Sequence, residues 1–286
     1  MTDRERYRRT DRTQDVIFVF GALSAEHVPG PALVRILEGM GMSESVARNT
    51  LTKMVRQRAL LAEPSGRMRI YSMPPGVETK YRQIAGSDGP TPWSGEFSSV
   101  IYRAPESVRW YRDRLQYTAP YFGYGMLRPG VLVSAHDRAT DLLARLGEAP
   151  QEVATHVCAL RPTDLAEARR ITASTWDLHE ISAQYAQVSA RIERRIREWP
   201  NIPDGVDTTW RLFREWNDVY REVIELQMQD PHLPAELLPS AWPRADHMER
   251  LGELNRLWGP RLQAFVRAQA EEAAPRLTVY VDPAWG

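Results

Sequence analysis

The segment from residue 43 to about residue 58 carries the side-chain types that proteins use to read DNA. At about 100° per residue, a helix there would separate its polar and apolar side chains onto opposite halves. The polar half consists of Ser45, Arg48, Asn49, Thr52, Lys53 and Arg56. In the major groove, arginine donates to guanine, asparagine pairs with adenine, and serine or threonine bonds to either. The spacing therefore predicts a recognition helix with these six residues on its DNA-facing side.

A hairpin predicted after this helix supplies two further cations. Pro64, Ser65 and Gly66 are typical turn residues, and they lie between two short β-like runs. Side-chain alternation along the second run puts Arg67 and Arg69 on one face. We expect these arginines to contact the DNA backbone, because a helix-turn-helix followed by a hairpin is the design of a winged helix.

Charge is unevenly distributed along the chain, which has 37 basic and 37 acidic residues. Residues 43–72 hold six basic and two acidic residues, a net charge of +4, whereas residues 78–286 have a net charge of −4. A local positive field in a neutral protein is typical of a DNA contact. The simpler alternative is a three-helix core with a solvated arginine face, since 35 of the 37 basic residues are arginine.

The composition as a whole argues against several other classes of protein. Zero net charge excludes a basic coat for nucleic acid and a polybasic membrane anchor. The mean hydropathy is −0.47, and no apolar run approaches the ~18 residues of a transmembrane helix. The charged N-terminus lacks the apolar core of a signal peptide, and Cys158 alone cannot form an intrachain disulfide. We therefore expect a soluble, cytoplasmic protein without a membrane contact.

Helical and β periodicities divide the chain into regions. Residues 1–14 predict a flexible tail, and residues 15–80 predict three helices and a hairpin. Residues 81–94 predict a linker. Residues 163–286 predict a helical domain, with a break in 163–198, helices over 207–229 and 245–272, and a terminal strand at 277–281 of unknown partner.

The central region, residues 95–162, alternates between strand and helix patterns. We predict strands at 97–102, 124–127, 131–134 and 155–160, and helices at 105–117 and 139–146. The order β-α-β-β-α-β is that of a ferredoxin-like domain, in which Cys158 is expected to pack as a small apolar residue. The predicted fold class is thus α+β, with an N-terminal winged helix-turn-helix, a central ferredoxin-like domain and a C-terminal helical domain.

Enzymatic chemistry finds little support in the sequence. The six histidines are scattered without a metal-ligand spacing, so we expect no metal and no cofactor. A nucleophile-elbow motif is absent, which argues against a hydrolase. The middle domain resembles that of small CRISPR-associated nucleases, but the strand at 97–102 is followed by no carboxylate until Glu106. A two-metal mechanism therefore lacks its ligands.

A proline-rich stretch carries a family resemblance. Residues 230–243 read DPHLPAELLPSAWP, which matches the pattern DP-x-LP-x-x-LLP-x-x-WP of the PaaX-like family of bacterial transcriptional repressors. Residues 41–51, the hairpin sequences FGYGML at 122–127 and PGVLVS at 129–134, and the WDL at 176–178 also resemble the family. Arg244 stands where the family usually has glycine.

The resemblance implies a repressor of a catabolic operon. It implies the three domains named above, with the central domain (95–162) serving dimerisation and coupling and the helical domain sensing an effector. It also implies a homodimer on double-stranded palindromic operator DNA, released by an aryl-CoA thioester such as phenylacetyl-CoA. The alternative is a non-sensing DNA-binding scaffold or activator that acts through protein partners.

A CoA thioester would need cations and aromatic side chains, because it carries phosphates and flat apolar groups. The candidates are Arg211, Arg214, Trp216, Tyr220 and Arg221. The proline-rich stretch itself has two interpretations, since its leucines and Trp242 could pack in a core or contact a ligand.

Overall fold

A computed structural model describes residues 11–74 and 92–280 of the protein. The predicted linker lies mainly outside these ranges, as does most of the predicted tail. Within the described part, one compact unit combines residues of 1–87, 188–223 and 246–286, and a second combines residues of 88–187 and 224–245. Parts of the helical C-terminal region thus share a unit with the N-terminal region.

The N-terminal region contains three helices and three strands. They are α1 (Asp11–Leu23), β1 (Ala25–Pro29), α2 (Gly30–Gly39), α3 (Glu44–Arg56), β2 (Leu61–Ser65) and β3 (Met68–Ser72). Pro31 lies in the first turn of α2, where its missing N–H costs nothing. Gly41 has a φ of +98°, which glycine adopts without strain, and it allows the chain to turn towards α3. Because α1 begins at Asp11, residues 11–14 belong to a helix rather than to the predicted tail.

Strand β1 is an element that the sequence prediction did not contain. It pairs antiparallel with β3, with Val28 opposite Tyr71. On its other side it pairs with β8 (Val279–Tyr280), so the sheet order is β2-β3-β1-β8. The predicted terminal strand therefore exists, and its partner is β1.

The central region has the predicted order. It comprises β4 (Phe97–Arg103), α4 (Arg109–Thr118), β5 (Gly125–Arg128), β6 (Val131–Ser134), α5 (Ala139–Leu146) and β7 (Ala154–Leu160). The four strands form an antiparallel sheet in the order β5-β6-β4-β7, which confirms the ferredoxin-like arrangement. On one face, Val100 and Leu132 pack with Tyr111 and Leu115 of α4 and with Leu142 of α5.

Four helices follow, namely α6 (Leu165–Thr175), α7 (Leu178–Glu198), α8 (Val206–Gln229) and α9 (Arg244–Ala273). The predicted break lies at Trp176, whose backbone is extended. Asp177 then accepts a hydrogen bond from the backbone N–H of Glu180 at 2.9 Å, which caps the start of α7. The helical nature of the C-terminal region is thus confirmed.

The proline-rich stretch between α8 and α9 packs on the second face of the central sheet. Leu233 and Leu237 join a core with Phe97 and Val133. Asp230 is buried and accepts hydrogen bonds from the Tyr185 hydroxyl at 2.6 Å and from the backbone N–H of His232 at 2.7 Å. These contacts correspond to the packing interpretation of the stretch.

Arg244, at the unusual position of the motif, also bonds inside this stretch. Its guanidinium lies 3.5 Å from the Asp230 carboxylate and 3.1 Å from Nδ1 of His232. A buried carboxylate needs such partners, because an unpaired charge in a protein interior is costly. Arg244 therefore stabilises the conformation that the prolines impose.

Cys158 differs from its prediction. The residue lies in β7 but is exposed, because β7 is an edge strand of the sheet in the described part of the chain. The local sequence of a strand does not reveal whether the strand lies at the edge or in the middle of a sheet, so the predicted packing was wrong.

Candidate nucleic-acid interface

Helix α3 has one buried face and one exposed face. Ala47, Thr50, Leu51 and Met54 are buried. The exposed face displays Ser45, Arg48, Asn49, Thr52, Lys53 and Arg56. Spacing alone therefore placed all six predicted DNA-binding residues of the helix on one solvent-facing surface, which we call the α3 face.

Short local contacts orient several side chains of the α3 face. Arg48 donates to the Glu44 carboxylate at 2.8 Å, and the Thr52 hydroxyl donates to the Arg48 carbonyl at 2.9 Å. The Ser43 and Ser45 hydroxyls lie 3.2 Å apart. An exposed ion pair one turn apart is worth only about 0.3–0.5 kcal/mol, so a base edge or phosphate can replace Glu44 as the partner of Arg48.

The hairpin β2–β3 presents the two predicted wing arginines. Gly66 has a φ of +58° at the tip of the hairpin, where an αL residue suits the tight connection. Arg67 in the turn and Arg69 on β3 are both exposed, whereas Tyr71 of β3 is buried. The strand thus passes from a solvent-facing cationic end to an end that packs in the core.

The predicted effector residues lie on α8, and the structure places the aromatic ones in the core of the first unit. Trp216 is fully buried, and its ring lies edge-on to Phe18 of α1 at 5.3 Å. Its indole N–H donates to Asn255 at 3.1 Å, and the Asn255 amide donates to the Tyr220 hydroxyl at 2.8 Å. Burial raises the pKa of Tyr220 to about 12, so this hydroxyl stays protonated.

The predicted effector arginines also contact protein groups. Arg221 forms an ion pair with the buried Asp15 of α1, and Asn217 donates to the same carboxylate at 2.6 Å. Arg214 donates to the Gly39 carbonyl at 2.8 Å. Arg211 is exposed and lies 3.9 Å from Glu215. Helix α8 therefore binds the first two helices of the N-terminal region.

Sequence reasoning missed a contact at the end of α2. A Cβ atom added to Gly39 would lie 2.4 Å from the Trp210 ring, so only glycine fits beneath this indole. Together with the Arg214 hydrogen bond, Trp210 fixes the turn that leads into α3. Seven of the nine tryptophans lie after residue 170, which is typical of aromatic packing, but a count does not identify the partner of any one ring.

A cavity of about 230 Å³ lies elsewhere in the first unit, between α7 and α8. Its lining is mostly arginine and carboxylate, and it includes Arg191, Arg195, Glu215 and Glu222. Arg191 forms an ion pair with Glu222, and Arg195 lies 3.1 Å from Glu215. None of the five predicted effector residues lines this cavity.

The described side chains offer no site for a metal ion. Within residues 11–74 and 92–280, no group of three or more histidine, cysteine, aspartate or glutamate side chains could hold a metal ion. Glu106, the first carboxylate after β4, is bound by Arg109 and Arg112 at 3.3 Å each. Each helix in the described ranges is too short or too polar to cross a bilayer.

Two family models match the chain in tandem. The PaaX protein central Cas2-like domain matches residues 90–172, and the PaaX-like protein C-terminal domain matches residues 176–268. The transcriptional repressor PaaX of Escherichia coli strain K12 is 26% identical over 262 residues, which cover 86% of this chain and 79% of that protein. Among solved structures, an uncharacterised protein from Mycobacterium tuberculosis is similar with a TM-score of 0.48 and 19% identity, over 83% of this chain and 89% of that one.

Proposed function

Because the chain belongs to the PaaX-like family of transcriptional repressors, we propose that it is a cytoplasmic, DNA-binding transcriptional regulator. The observation that carries the proposal is the α3 face, which displays six polar or cationic side chains opposite a buried apolar face. We propose that the N-terminal region works as a winged helix, with α3 as its recognition helix and the β2–β3 hairpin as its wing.

In this arrangement α3 lies in the major groove. Arg48 donates to guanine and Asn49 pairs with adenine, in the geometry that these side chains favour. Thr52 acts as an acceptor, because its hydroxyl proton is engaged by a backbone carbonyl. Ser45, Lys53 and Arg56 bind at the edges of the groove, and Arg67 and Arg69 neutralise phosphates, which sets orientation rather than sequence preference.

Repression requires two recognition helices on one operator. We propose a homodimer on a palindromic site, with half-sites about 34–36 Å apart so that both α3 helices enter successive major grooves. A ligand that favours a dimer geometry with a different spacing would release the DNA. A coupling of about 1–3 kcal/mol suffices for a 5–150-fold change in operator affinity.

We propose an aryl-CoA thioester as the effector, as the resemblance implies. A thioester at the predicted residues would compete with protein contacts, because Trp216 packs on Phe18 and Tyr220 accepts from Asn255. Such competition would loosen the attachment of α8 to α1 and would transmit binding to the N-terminal region. Supporting this route, Arg214 of the same helix holds the turn before α3.

A footprint of the DNA upstream of the protein's own gene tests the proposal. We expect two protected half-sites one helical turn apart, and loss of protection when phenylacetyl-CoA or a related thioester is added. A thermal-shift screen accompanies it, since a ligand that binds the folded state raises the melting temperature. Protection without any thermal response to thioesters or free acids would favour the non-sensing alternative, and no protection of any fragment would contradict DNA binding.

A further inference from the structure

Strand β8 attaches the segment after α9 to the sheet that carries the wing. It pairs antiparallel with β1, with Val279 opposite His27. On the other side of β1, the same His27 lies opposite Ser72 of β3. One row of the sheet therefore runs from β8 through β1 to the base of the β2–β3 hairpin.

A single carboxylate fixes the turn between α9 and β8. Glu271, in the last turn of α9, accepts hydrogen bonds from the backbone N–H of Arg276 at 2.9 Å and from the Tyr280 hydroxyl at 3.3 Å. Arg276 has a φ of +59°, the left-handed conformation that commonly ends a helix. Thr278 is buried and Val279 is 48% exposed, which is the alternation of a strand. The turn thus delivers this segment to β1 in a defined orientation.

Two side chains of α9 bind the residues that precede β1. The Arg267 guanidinium donates from Nε to the Leu23 carbonyl at 3.1 Å, and it lies over the Tyr280 ring, 4.6 Å from the centroid. Gln263 donates to the Ser24 hydroxyl at 2.9 Å. Arg267 therefore contacts β8 and the end of α1 at the same time, and its removal would release both.

The attachment of β8 is small enough to open. The strand has two residues, and its register against β1 is irregular between Ala25 and His27. Segments with few buried contacts open at a low cost in free energy. The contacts of Tyr280 with Arg267 and Glu271 therefore contribute much to keeping β8 beside β1.

We propose that this C-terminal clasp, which consists of β8 with Arg267 and Glu271, positions the wing for its phosphate contacts. The proposal rests on the proposed function, in which Arg67 and Arg69 bind the DNA backbone. Arg267 and Tyr280 are then positioning residues, because they act on the wing through β1 and β3. Glu271 and β8 follow residue 268, where the matched C-terminal domain ends.

The wing amplifies a small movement at its base. Arg67 lies five residues from Ser72, which corresponds to about 17 Å along a strand, so a rotation of about 10° at Ser72 moves Arg67 by about 3 Å. The length of a hydrogen bond varies by only about half an ångström. Helix α2, which follows β1, is held separately, because six of its ten residues are buried. An open clasp would therefore shift the wing while the recognition helix stays in place.

Hydrogen exchange tests the clasp without DNA. Tyr280→Ala removes the ring beneath Arg267 and the hydroxyl that binds Glu271. Arg267→Ala removes the bond to Leu23. In both variants we expect amide exchange in β1 and β3 to become about fivefold faster or more, with no change in the central sheet, because losing an edge strand opens its neighbours first. Leu277→Ala, at an exposed residue outside the strand pairing, is the control and should exchange like the wild type.

The salt dependence of DNA binding tests the route through the wing. Each lost phosphate contact reduces the slope of log affinity against log salt by about 0.9. We expect Tyr280→Ala to reduce this slope by about 1–2 on the footprinted fragment, approaching the slope of Arg67→Ala/Arg69→Ala. Tyr280 is uncharged at neutral pH, so its own charge cannot cause the change. In the Arg67→Ala/Arg69→Ala background Tyr280→Ala should have no further effect, because the wing has no contact left to lose.

Three results would overturn the proposal. They are unchanged exchange in β1 and β3, an unchanged salt slope in Tyr280→Ala, and an equal loss of affinity from Tyr280→Ala with and without the wing arginines, which indicates a general loss of structure. Failure of the wild-type protein to bind any duplex would contradict the proposed function instead. The exchange rates of β1 and β3 would then still decide whether the clasp holds the wing in position.

Discussion

Replacement of Gly39 by alanine probes how α8 supports the helix-turn-helix. Gly39 is the last residue of α2, and its added Cβ would lie 2.4–2.5 Å from three atoms of the Trp210 indole. The indole cannot withdraw freely, because its ring is packed edge-on against Phe265 at 4.8 Å. Either the ring or the turn before α3 must therefore move.

Two opposing effects decide whether this substitution raises or lowers the free energy of unfolding. Alanine normally stabilises a helix relative to glycine by about 0.5–1 kcal/mol, whereas overpacking a tight site costs about 1–3 kcal/mol. We expect Gly39→Ala to lower the free energy of unfolding by about 1–2 kcal/mol. Operator affinity should fall as well, because the displaced turn carries the α3 face with it.

Urea unfolding of matched variants measures the effect. Gly259→Ala is the control, since an added Cβ there meets no atom within 4 Å, and it should be neutral or stabilising. In a Trp210→Leu background the clash is relieved, so Gly39→Ala should become neutral or stabilising too. If Gly39→Ala stabilised the protein as much as Gly259→Ala does, the Trp210 ring would not constrain this turn.

Three further predictions concern DNA contacts and pH. Arg67→Ala should weaken binding to all sequences and reduce the salt slope by about 1, as measured by anisotropy at graded salt; an unchanged slope would remove Arg67 from the phosphate contacts. Asn49→Ala should relax specificity at one base position at a cost of about 1–3 kcal/mol, whereas equal losses on operator and random DNA would refute base reading. Burial lowers the pKa of His247 to about 4, below its ordinary value near 6.5. On acidification the unfolded chain therefore binds this proton at a higher pH than the folded protein does. The free energy of unfolding should be unaffected above about pH 6.5 and should fall by about 3 kcal/mol between about pH 6.5 and about pH 4. His247→Gln should flatten this pH dependence in urea unfolding, and an unchanged slope would contradict it.

Periodicity in the sequence was sufficient to predict the local architecture. The two faces of α3 follow from helical spacing, because Ala47, Leu51 and Met54 recur at intervals that one side of a helix must share. The order of strands and helices in the central region also follows from local patterns. Such features depend on neighbouring residues only, so a single sequence contains them.

Contacts between residues far apart in the chain could not be predicted from the sequence. Strand β1 is five residues long and ends in Pro29, and its partners lie at residues 70–72 and 279–280. The role of Arg221 depends on Asp15, 206 positions away. The local sequence of an arginine beside aromatic residues is the same whether the arginine binds a phosphate or a buried carboxylate. Only the fold distinguishes the two.

If the α3 face binds duplex DNA, reversing the charges on that face should abolish operator binding. The double variant Lys53→Glu/Arg56→Glu is compared with Arg145→Glu, an exposed arginine on α5, by anisotropy on the footprinted operator. We expect the double variant to lose operator binding and Arg145→Glu to bind at wild-type affinity. Wild-type affinity in the double variant, or an equal loss in both proteins, would contradict it.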